Sequence, residues 1–471
     1  MNDKNNLIFY DTETTGIQRD FSQILQCGSV LTDNAFNSLG EQDIGCAPLP
    51  WVIPNPRAML TNKKTNLFNS NVSHYEMILD LQRQWKQWTL DNPGIFISYN
   101  GHAFDEELVR RQFFWNLLEP YTTNTNGNGR LDLMLMMHNI VCFFPEAINI
   151  PLFEDGPKIS LKLEDIARAN NISADSAHDA IADCNLMIDV TKKINAVVPD
   201  VFNSFLNIST KPGVMNLLNT DGFLALGEVF RRQMFRYPVV FCGSDPSRPN
   251  EIVFFDLGFD DPEEILELEL SEIFKLINSG GRSGPLKKYK INKTIPICHS
   301  DLLSDRTLFD VNFDELNRRA QLVKNHKDFQ TKVSQAMSDR MMSFPEPEHI
   351  EQTIYSGGFP SYKDKDLMQE FHLTEDAEHR IKIARNFEDE RTRIFAERII
   401  CQMHFEQAPN DFKNRYKELF DERIATKGLW GNVESSIDET TKLLEESDDQ
   451  ESTNILEDTL GHLKKMESLI D

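Results

Sequence analysis

Short apolar runs alternate with amphipathic stretches through roughly the first 200 residues. Residues 7–10 and 95–97 are apolar runs of strand length, and residues 106–114 have the spacing of a helix that buries one face. Alternation of this kind is typical of an α/β domain built on a mixed sheet. We therefore predict such a domain over residues 1–197.

The pattern changes twice in the rest of the chain. Between residues 200 and 350, strand candidates at 237–242 and 251–257 mix with helical stretches, which by itself indicates only an α+β domain. From residue 355 the pattern is helical. Residues 381–402 and 410–424 are both long and free of internal proline, so we predict a helical domain over residues 355–471.

A pair of acidic side chains stands at the end of the first apolar run. Asp11 and Glu13 flank Thr12, and because successive side chains of a strand point to opposite faces, the two carboxylates project together. Residues 14–16, Thr-Thr-Gly, end the strand there. Paired carboxylates repel each other unless a hard divalent cation neutralises them, so Mg²⁺ or Mn²⁺ is the expected occupant. The alternative is a solvated strand end.

Two later segments carry candidate partners for this pair. Asp105 follows an apolar run and a glycine turn, at the start of a predicted helix. Asp183 lies one turn inside another predicted helix, and His178 comes five residues earlier, an offset of about 140° on a helix. His178 must therefore precede or begin that helix if both are to reach one site. The alternatives are that Asp105 only caps its helix, and that Asp179 caps the other and leaves His178 exposed.

Taken in order, five side chains resemble the catalytic set of the DEDDh family of 3′-to-5′ exonucleases: Asp11, Glu13, Asp105, His178 and Asp183. The resemblance implies that the four acids bind two metal ions, Mg²⁺ with Mn²⁺ as a substitute, and that His178 is the general base. Two ions about 3.5 to 4 Å apart hold a phosphodiester, activate a water molecule and stabilise the departing oxygen. Histidine titrates near neutral pH, which suits the proton transfer.

Several other segments are similar to bacterial exonuclease I, a single-strand-specific exodeoxyribonuclease family: 54–60, 160–164, 291–296 and 354–359. The likeness extends from near the N-terminus to about residue 425. It implies a ribonuclease H-like core over residues 1–197, an SH3-like domain over 200–350 and a helical domain that arches over the nuclease. It also implies processive 3′-to-5′ degradation of single-stranded DNA to 5′-mononucleotides.

The same resemblance suggests which residues contact substrate and partner. The substrate set is Thr12, Thr14, Tyr99, Asn100, Phe104, Lys162, Tyr355 and Phe359. Its aromatic members would stack on bases, at roughly 1 to 3 kcal/mol per base, or would simply pack in the core. Exonuclease I-like enzymes also dock the acidic tail of single-strand DNA-binding protein on a basic ridge. The corresponding residues are Arg306, Arg318, Arg319 and Lys324.

Composition bears on location and on the DNA partner. A net charge of −25 opposes phosphate binding, but residues 433–471 hold twelve acids and three lysines and alone contribute −9. The N-terminus shows neither a secretory signal nor a spanning helix, so we expect a cytoplasmic protein. The spacing of the seven cysteines argues against a disulfide framework or a structural zinc site. We also expect a monomer. Two rival functions remain: a DEDDh exoribonuclease or short-oligonucleotide exonuclease, and an inactive DNA-end-binding scaffold.

Overall fold

A computed structural model describes residues 6–153, 158–174, 179–259, 261–279, 281–303, 308–340 and 345–469. Its first unit is built on a five-stranded mixed sheet of order β3-β2-β1-β4-β5. The strands are β1 (Asn6–Thr14), β2 (Ile24–Thr32), β3 (Ser38–Gly45), β4 (Gly94–Ser98) and β5 (Gly129–Asp132). β1 pairs antiparallel with β2 and parallel with β4. The predicted α/β architecture with a mixed sheet is therefore confirmed.

Helices cover both faces of this sheet because both faces of β1 are apolar. Leu7 and Phe9 point into one hydrophobic cluster, and Ile8 and Tyr10 point into another that includes Trp85. The helices are α1 (Pro56–Asn62), α2 (His74–Trp88), α3 (Asp105–Trp115), α4 (Leu133–Phe143), α5 (Leu163–Ala169) and α6 (Ala180–Val197).

The second unit is built on an antiparallel sheet of order β10-β6-β7-β8-β9. Its strands are β6 (Leu224–Phe230), β7 (Gln233–Ser244), β8 (Glu251–Asp256), β9 (Leu286–Lys290) and β10 (Ile297–His299). The strands predicted at 237–242 and 251–257 fall on β7 and β8. Around the sheet lie α7 (Pro199–Asn207), α8 (Lys211–Leu218), α9 (Pro262–Leu266), α10 (Leu270–Ser279), α11 (Phe313–Asn325) and α12 (Lys327–Ser338).

The two sheets share one hydrophobic core. A single cluster of buried side chains runs from Leu7 and Phe9 of the first sheet to Leu224 and Phe254 of the second. Helix α4 lies between the sheets, and the buried amide of Asn139 donates to the carbonyl oxygens of Ala225 (2.9 Å) and Pro296 (3.0 Å). The two units are therefore fixed against each other by packing and by hydrogen bonds.

The remainder of the chain is helical, as predicted. It comprises α13 (Tyr362–Leu373), α14 (Ala377–Asn386), α15 (Glu390–Met403), α16 (Asn410–Ala425), α17 (Val433–Glu445) and α18 (Gln450–Glu467). Within the described ranges, no helix combines the length and the apolar character needed to cross a lipid bilayer. All seven cysteines are free and buried.

One helix prediction is wrong: residues 381–402 do not form a continuous helix. The chain breaks between α14 and α15 because the buried carboxylate of Asp364 accepts the backbone N–H groups of Glu388 (2.9 Å) and Asp389 (2.8 Å). Asp389 then caps α15 by accepting from the N–H of Arg391 at 2.8 Å.

The acidic C-terminal segment is folded and packs on the first unit. Helices α17 and α18 form a hairpin, and Ile455 of α18 joins a small apolar cluster with Met59 of α1. Around this contact, Arg57 pairs with Glu439 at 2.6 Å, and Lys63 pairs with Glu451 at 2.7 Å. Some of the acidic side chains of residues 433–471 therefore form ion pairs with basic side chains of the first unit.

Candidate active site

Three carboxylates meet where β1 ends and α6 begins. Ligand oxygens of Asp11, Glu13 and Asp183 all lie within 4.8 Å of one another. Asp11 and Glu13 project together, as the strand alternation predicts. Asp183 is in the first turn of α6, where its N–H donates to the carbonyl oxygen of Asp179 at 2.9 Å.

A glycine lets α6 approach the sheet closely enough to bring Asp183 to the pair. Gly28 of β2 lies opposite Asp11 in the ladder, and a Cβ atom there would sit 2.5 Å from the carbonyl carbon of Ala180. Any side chain at position 28 would therefore push the first turn of the helix away. The thiol of Cys184 also donates to the carbonyl oxygens of Phe9 (3.5 Å) and Gly28 (3.4 Å).

Asp105 completes the acidic site from a third element. It is the first residue of α3, and its carboxylate accepts the hydroxyl of Thr12 at 2.5 Å. Asp105 lies outside the 4.8 Å group, but it is close enough to raise the pKa of Asp11. The alternative that Asp105 only caps its helix does not apply, because the cap position is Phe104 and no side chain caps there.

The turn before Asp105 is held by a residue that the sequence analysis missed. Asp132 is buried at the start of α4, and its carboxylate accepts the N–H groups of Asn100 (2.9 Å) and His102 (3.1 Å). It also caps α4 by accepting from Met134 at 3.1 Å. The available signal was an aspartate just before an apolar helix, which is typical of a cap.

Burial and mutual repulsion favour the protonated forms of these acids. The pKa of Glu13 is raised to about 9, first by burial and then by Asp183. The pKa of Asp11 is well above its usual value because of burial, Asp105 and Glu13. Burial raises the pKa of Asp105 to about 6. A cluster of carboxylates that is so costly to ionise fits a hard divalent cation, which would supply the missing positive charge.

A lysine beside the cluster was also missed. The ammonium of Lys64 lies 2.7 Å from the carboxylate of Asp179 and lowers the pKa of Glu13. The carboxylate of Asp179 accepts the N–H of Ala182 and caps α6, which confirms the alternative that Asp179 is the cap of this helix. His178 lies outside the described residues, and its role as general base stays a prediction.

Four predicted substrate residues lie mostly inside the domain. The hydroxyl of Thr12 donates to Asp105, and that of Thr14 donates to the carbonyl oxygen of Gly16 at 2.9 Å. The hydroxyl of Tyr99 donates to the carbonyl oxygen of Leu161, and its ring packs against the core. Phe104 is half-buried against the cluster that contains Trp85. For both aromatic residues the structure shows the packing alternative.

The other four predicted substrate residues are exposed. Asn100 adopts a left-handed conformation with φ of 60° in the turn before α3, and the side chain of Lys162 is 71% exposed. Tyr355 is 53% and Phe359 is 74% exposed. The hydroxyl of Tyr355, a residue that precedes α13, donates to Glu107 of α3 at 2.9 Å, so this ring contacts the first unit.

The predicted partner-binding residues lie on α11, except for Arg306, which is outside the described residues. Arg318 pairs with Glu315 at 2.7 Å and with Asp261 at 2.8 Å. Arg319 donates to the carbonyl oxygen of Leu257, and Lys324 donates to that of Gly222 at 3.2 Å. These three cations are therefore engaged within the chain, and partner binding by them stays a prediction.

No protein-family model matches the chain. Two curated relatives are similar over most of its length. The exodeoxyribonuclease I of Buchnera aphidicola subsp. Baizongia pistaciae is 26% identical over 467 residues, which cover 93% of this chain and 91% of the relative. The exodeoxyribonuclease I of Haemophilus influenzae is 27% identical over 380 residues, 76% of this chain and 78% of the relative.

Solved structures share the whole fold. Escherichia coli exonuclease I in complex with a dA16 oligonucleotide superposes with a TM-score of 0.82 at 20% identity, over 98% of this chain and 100% of that one. A zinc-bound complex of the E. coli enzyme with single-stranded DNA and an ExoI/SSB-Ct complex both give a TM-score of 0.79 at 20% identity, each over 98% of this chain and 99% of the other. Over most of its length the chain is therefore similar to bacterial exonuclease I in sequence and in fold.

Proposed function

We propose that this protein is a processive 3′-to-5′ exonuclease that degrades single-stranded DNA to 5′-mononucleotides. The observation that carries the proposal is the convergence of Asp11, Glu13 and Asp183 within 4.8 Å, with Asp105 beside them. An acidic cluster of this kind serves metal-assisted hydrolysis, and the full-length similarity to exodeoxyribonuclease I relatives supports DNA as the substrate.

The acids have distinct tasks in this proposal. Asp11, Glu13 and Asp183 would hold Mg²⁺, or Mn²⁺ in its place, and Asp105 would complete the set for two ions. When bound, such ions polarise the phosphodiester and lower the pKa of a bound water. Thr12 fixes the carboxylate of Asp105 through its hydroxyl, and Asp132 fixes the turn that delivers Asp105. We assign to His178 the removal of the proton from the attacking water.

The three units of the chain would divide the work. In this proposal, residues 1–197 are a ribonuclease H-like catalytic domain, 200–350 an SH3-like domain and 355–471 a helical domain that closes a passage for one strand. The contact of Tyr355 with Glu107 across the nuclease and helical units supports such a passage. Exposed Tyr355 and Phe359 would stack on bases, and Lys162 would contact a phosphate. A monomer suffices for this arrangement.

A partner is also proposed. The ExoI/SSB-Ct complex among the structural neighbours supports docking of the acidic tail of single-strand DNA-binding protein on Arg306, Arg318, Arg319 and Lys324. Binding of the tail peptide should require low salt, because Arg318 must exchange Glu315 and Asp261 for the peptide carboxylates. A peptide that shows no affinity at low salt would remove this part of the proposal.

The function is tested by digesting a 3′-labelled single strand beside its duplex and beside an RNA strand of the same sequence, with and without Mg²⁺. We expect labelled mononucleotides from the DNA single strand only when Mg²⁺ is present. Faster cleavage of RNA would favour the exoribonuclease alternative. Strand binding without release of mononucleotides would favour the inactive scaffold.

A further inference from the structure

Lys64 follows α1 and is tied to the end of β1 through a single asparagine. Asn62, the last residue of α1, donates its side-chain amide to the carbonyl oxygen of Thr14 at 2.8 Å. The side-chain oxygen of Asn62 accepts the backbone N–H of Lys64 at 3.1 Å. Because Asn62 is buried and makes both bonds, the backbone of Lys64 is fixed relative to the strand that carries Asp11 and Glu13.

The side chain of Lys64 reaches from this turn to the start of α6. Its ammonium pairs with Asp179 at 2.7 Å, and only 14% of the side chain is exposed. The preceding Lys63 differs, because its side chain is 46% exposed and pairs with Glu451 of α18. The two adjacent lysines therefore point to different parts of the molecule, and Lys64 is the one directed toward the acidic site.

Asp179 connects Lys64 to a proposed metal ligand. The carboxylate of Asp179 caps α6 by accepting the N–H of Ala182 at 3.3 Å, and its carbonyl oxygen accepts the N–H of Asp183 at 2.9 Å. The position of the first turn of α6 therefore depends on Asp179. The side-chain amide of Gln26 donates to the same carboxylate at 3.4 Å, which is long for a hydrogen bond, so the ion pair is the stronger of these two restraints.

We propose that Lys64 is a positioning residue of the acidic site: by holding Asp179, it holds the first turn of α6 and so places the carboxylate of Asp183. The inference rests on the proposed function, because it assumes that Asp183 binds a metal ion. Side chains that orient a metal ligand without touching the ion typically contribute about 10- to 100-fold to metal affinity or activity. The side chain of Asp179 is 41% exposed, so we expect an effect at the lower end of that range.

The test compares Lys64→Met with Lys63→Met, which removes the same charge from the neighbouring position and leaves the pair with Asp179 intact. Lys64→Arg is the conservative variant, because a guanidinium can also pair with a carboxylate. Cleavage of a single DNA strand would give kcat and KM for each full-length variant. Calorimetric titration with Mg²⁺ in the absence of DNA would give the Kd of the ion, and denaturant unfolding would show that the variants are folded.

We expect Lys64→Met to lower kcat by about 10-fold, to weaken Mg²⁺ binding several-fold and to leave KM for the strand unchanged. Lys63→Met should match the wild type, and Lys64→Arg should recover most of the loss. The route is tested in an Asp179→Asn background, which keeps a side-chain oxygen for the helix cap but removes the charge that Lys64 pairs with. In that background, Lys64→Met should have no further effect.

Equal kcat and equal Mg²⁺ affinity in Lys64→Met and Lys63→Met would overturn the positioning role and leave the proposed function standing. Tighter Mg²⁺ binding by Lys64→Met would also overturn it, because the ammonium would then act only as a charge that competes with the ion. Additive losses in the double variant would show that Lys64 does not act through Asp179. Wild-type protein that cleaves no strand would defeat the proposed function, and the Mg²⁺ affinities of the variants would still decide the role of Lys64.

Discussion

At Glu13, burial and the neighbouring Asp183 raise the pKa of the carboxyl group to about 9. The metal-free folded protein therefore retains a proton that the unfolded chain loses near pH 4.5. Between these two pH values the unfolded state binds fewer protons, so the free energy of unfolding must fall as pH rises. Ionisation of the site thus opposes folding until a cation is bound.

We predict that Glu13→Gln stabilises the metal-free protein at pH 8 by at least about 1 kcal/mol, the equivalent of one pKa unit. The gain should shrink toward pH 4, where the wild-type carboxyl is protonated in both states. Denaturant unfolding in EDTA at several pH values would measure it. Glu418→Gln, an exposed change of the same charge, is the control, and an equal effect of the two substitutions would contradict the prediction.

We predict that substitution of the proposed base, His178, and substitution of a proposed metal ligand, Asp11, have different effects on Mg²⁺ affinity. His178→Ala should lower kcat by about 10²- to 10⁴-fold and leave the Mg²⁺ affinity largely unchanged, because the histidine moves a proton and binds no ion in this assignment. Asp11→Ala should weaken Mg²⁺ binding as well as turnover. Release of labelled nucleotide across an Mg²⁺ titration would distinguish the two. Wild-type turnover in His178→Ala would refute the assignment.

At the scale of single elements, the regular spacing of side chains along strands and helices explains which features the sequence predicts well. The pairing of Asp11 with Glu13 follows from the two-residue period of a strand, and the place of Asp183 follows from helical spacing. The break between α14 and α15 could not be predicted in this way, because it depends on Asp364, which is distant in sequence from the amides that it accepts. Lys64 was missed for the same reason: its contact with Asp179 exists only in the folded chain.

The turn that delivers Asp105 depends on Asp132, and this dependence can be tested. Asp132→Ala removes the acceptor for Asn100 and His102 and the cap of α4, so we expect a loss of roughly 1 to 2 kcal/mol in stability together with a clear fall in kcat. Unfolding and turnover would be measured in parallel. Asp376→Ala, which removes the side-chain cap of α14, should cost similar stability but leave kcat unchanged. Equal turnover in both variants would argue against a positioning role for Asp132.

On the scale of the whole molecule, the C-terminal hairpin is held by apolar packing more than by charge. Leu463 of α18 is fully buried in a cluster with Ile53 and Ile424, so Leu463→Ala should destabilise the hairpin by about 2 to 5 kcal/mol. Glu439→Gln breaks a partly exposed ion pair and should change stability by about 1 kcal/mol or less. Hydrogen exchange of the α18 amides would measure both. A larger effect of Glu439→Gln would reverse this ranking.

The core that α4 shares with both sheets limits how the protein can open. A hinge between the first and second units would have to expose that common apolar interior and break the bonds that Asn139 makes to Ala225 and Pro296. The helical segments are tied to the first unit in the same way, because Phe371 and Phe395 share a buried cluster with Tyr75. The hydroxyl of Tyr355 adds a hydrogen bond to Glu107. In the proposed function, a strand that lies between the units would therefore leave by sliding along its own length, because no unit can swing aside without exposing apolar core to water.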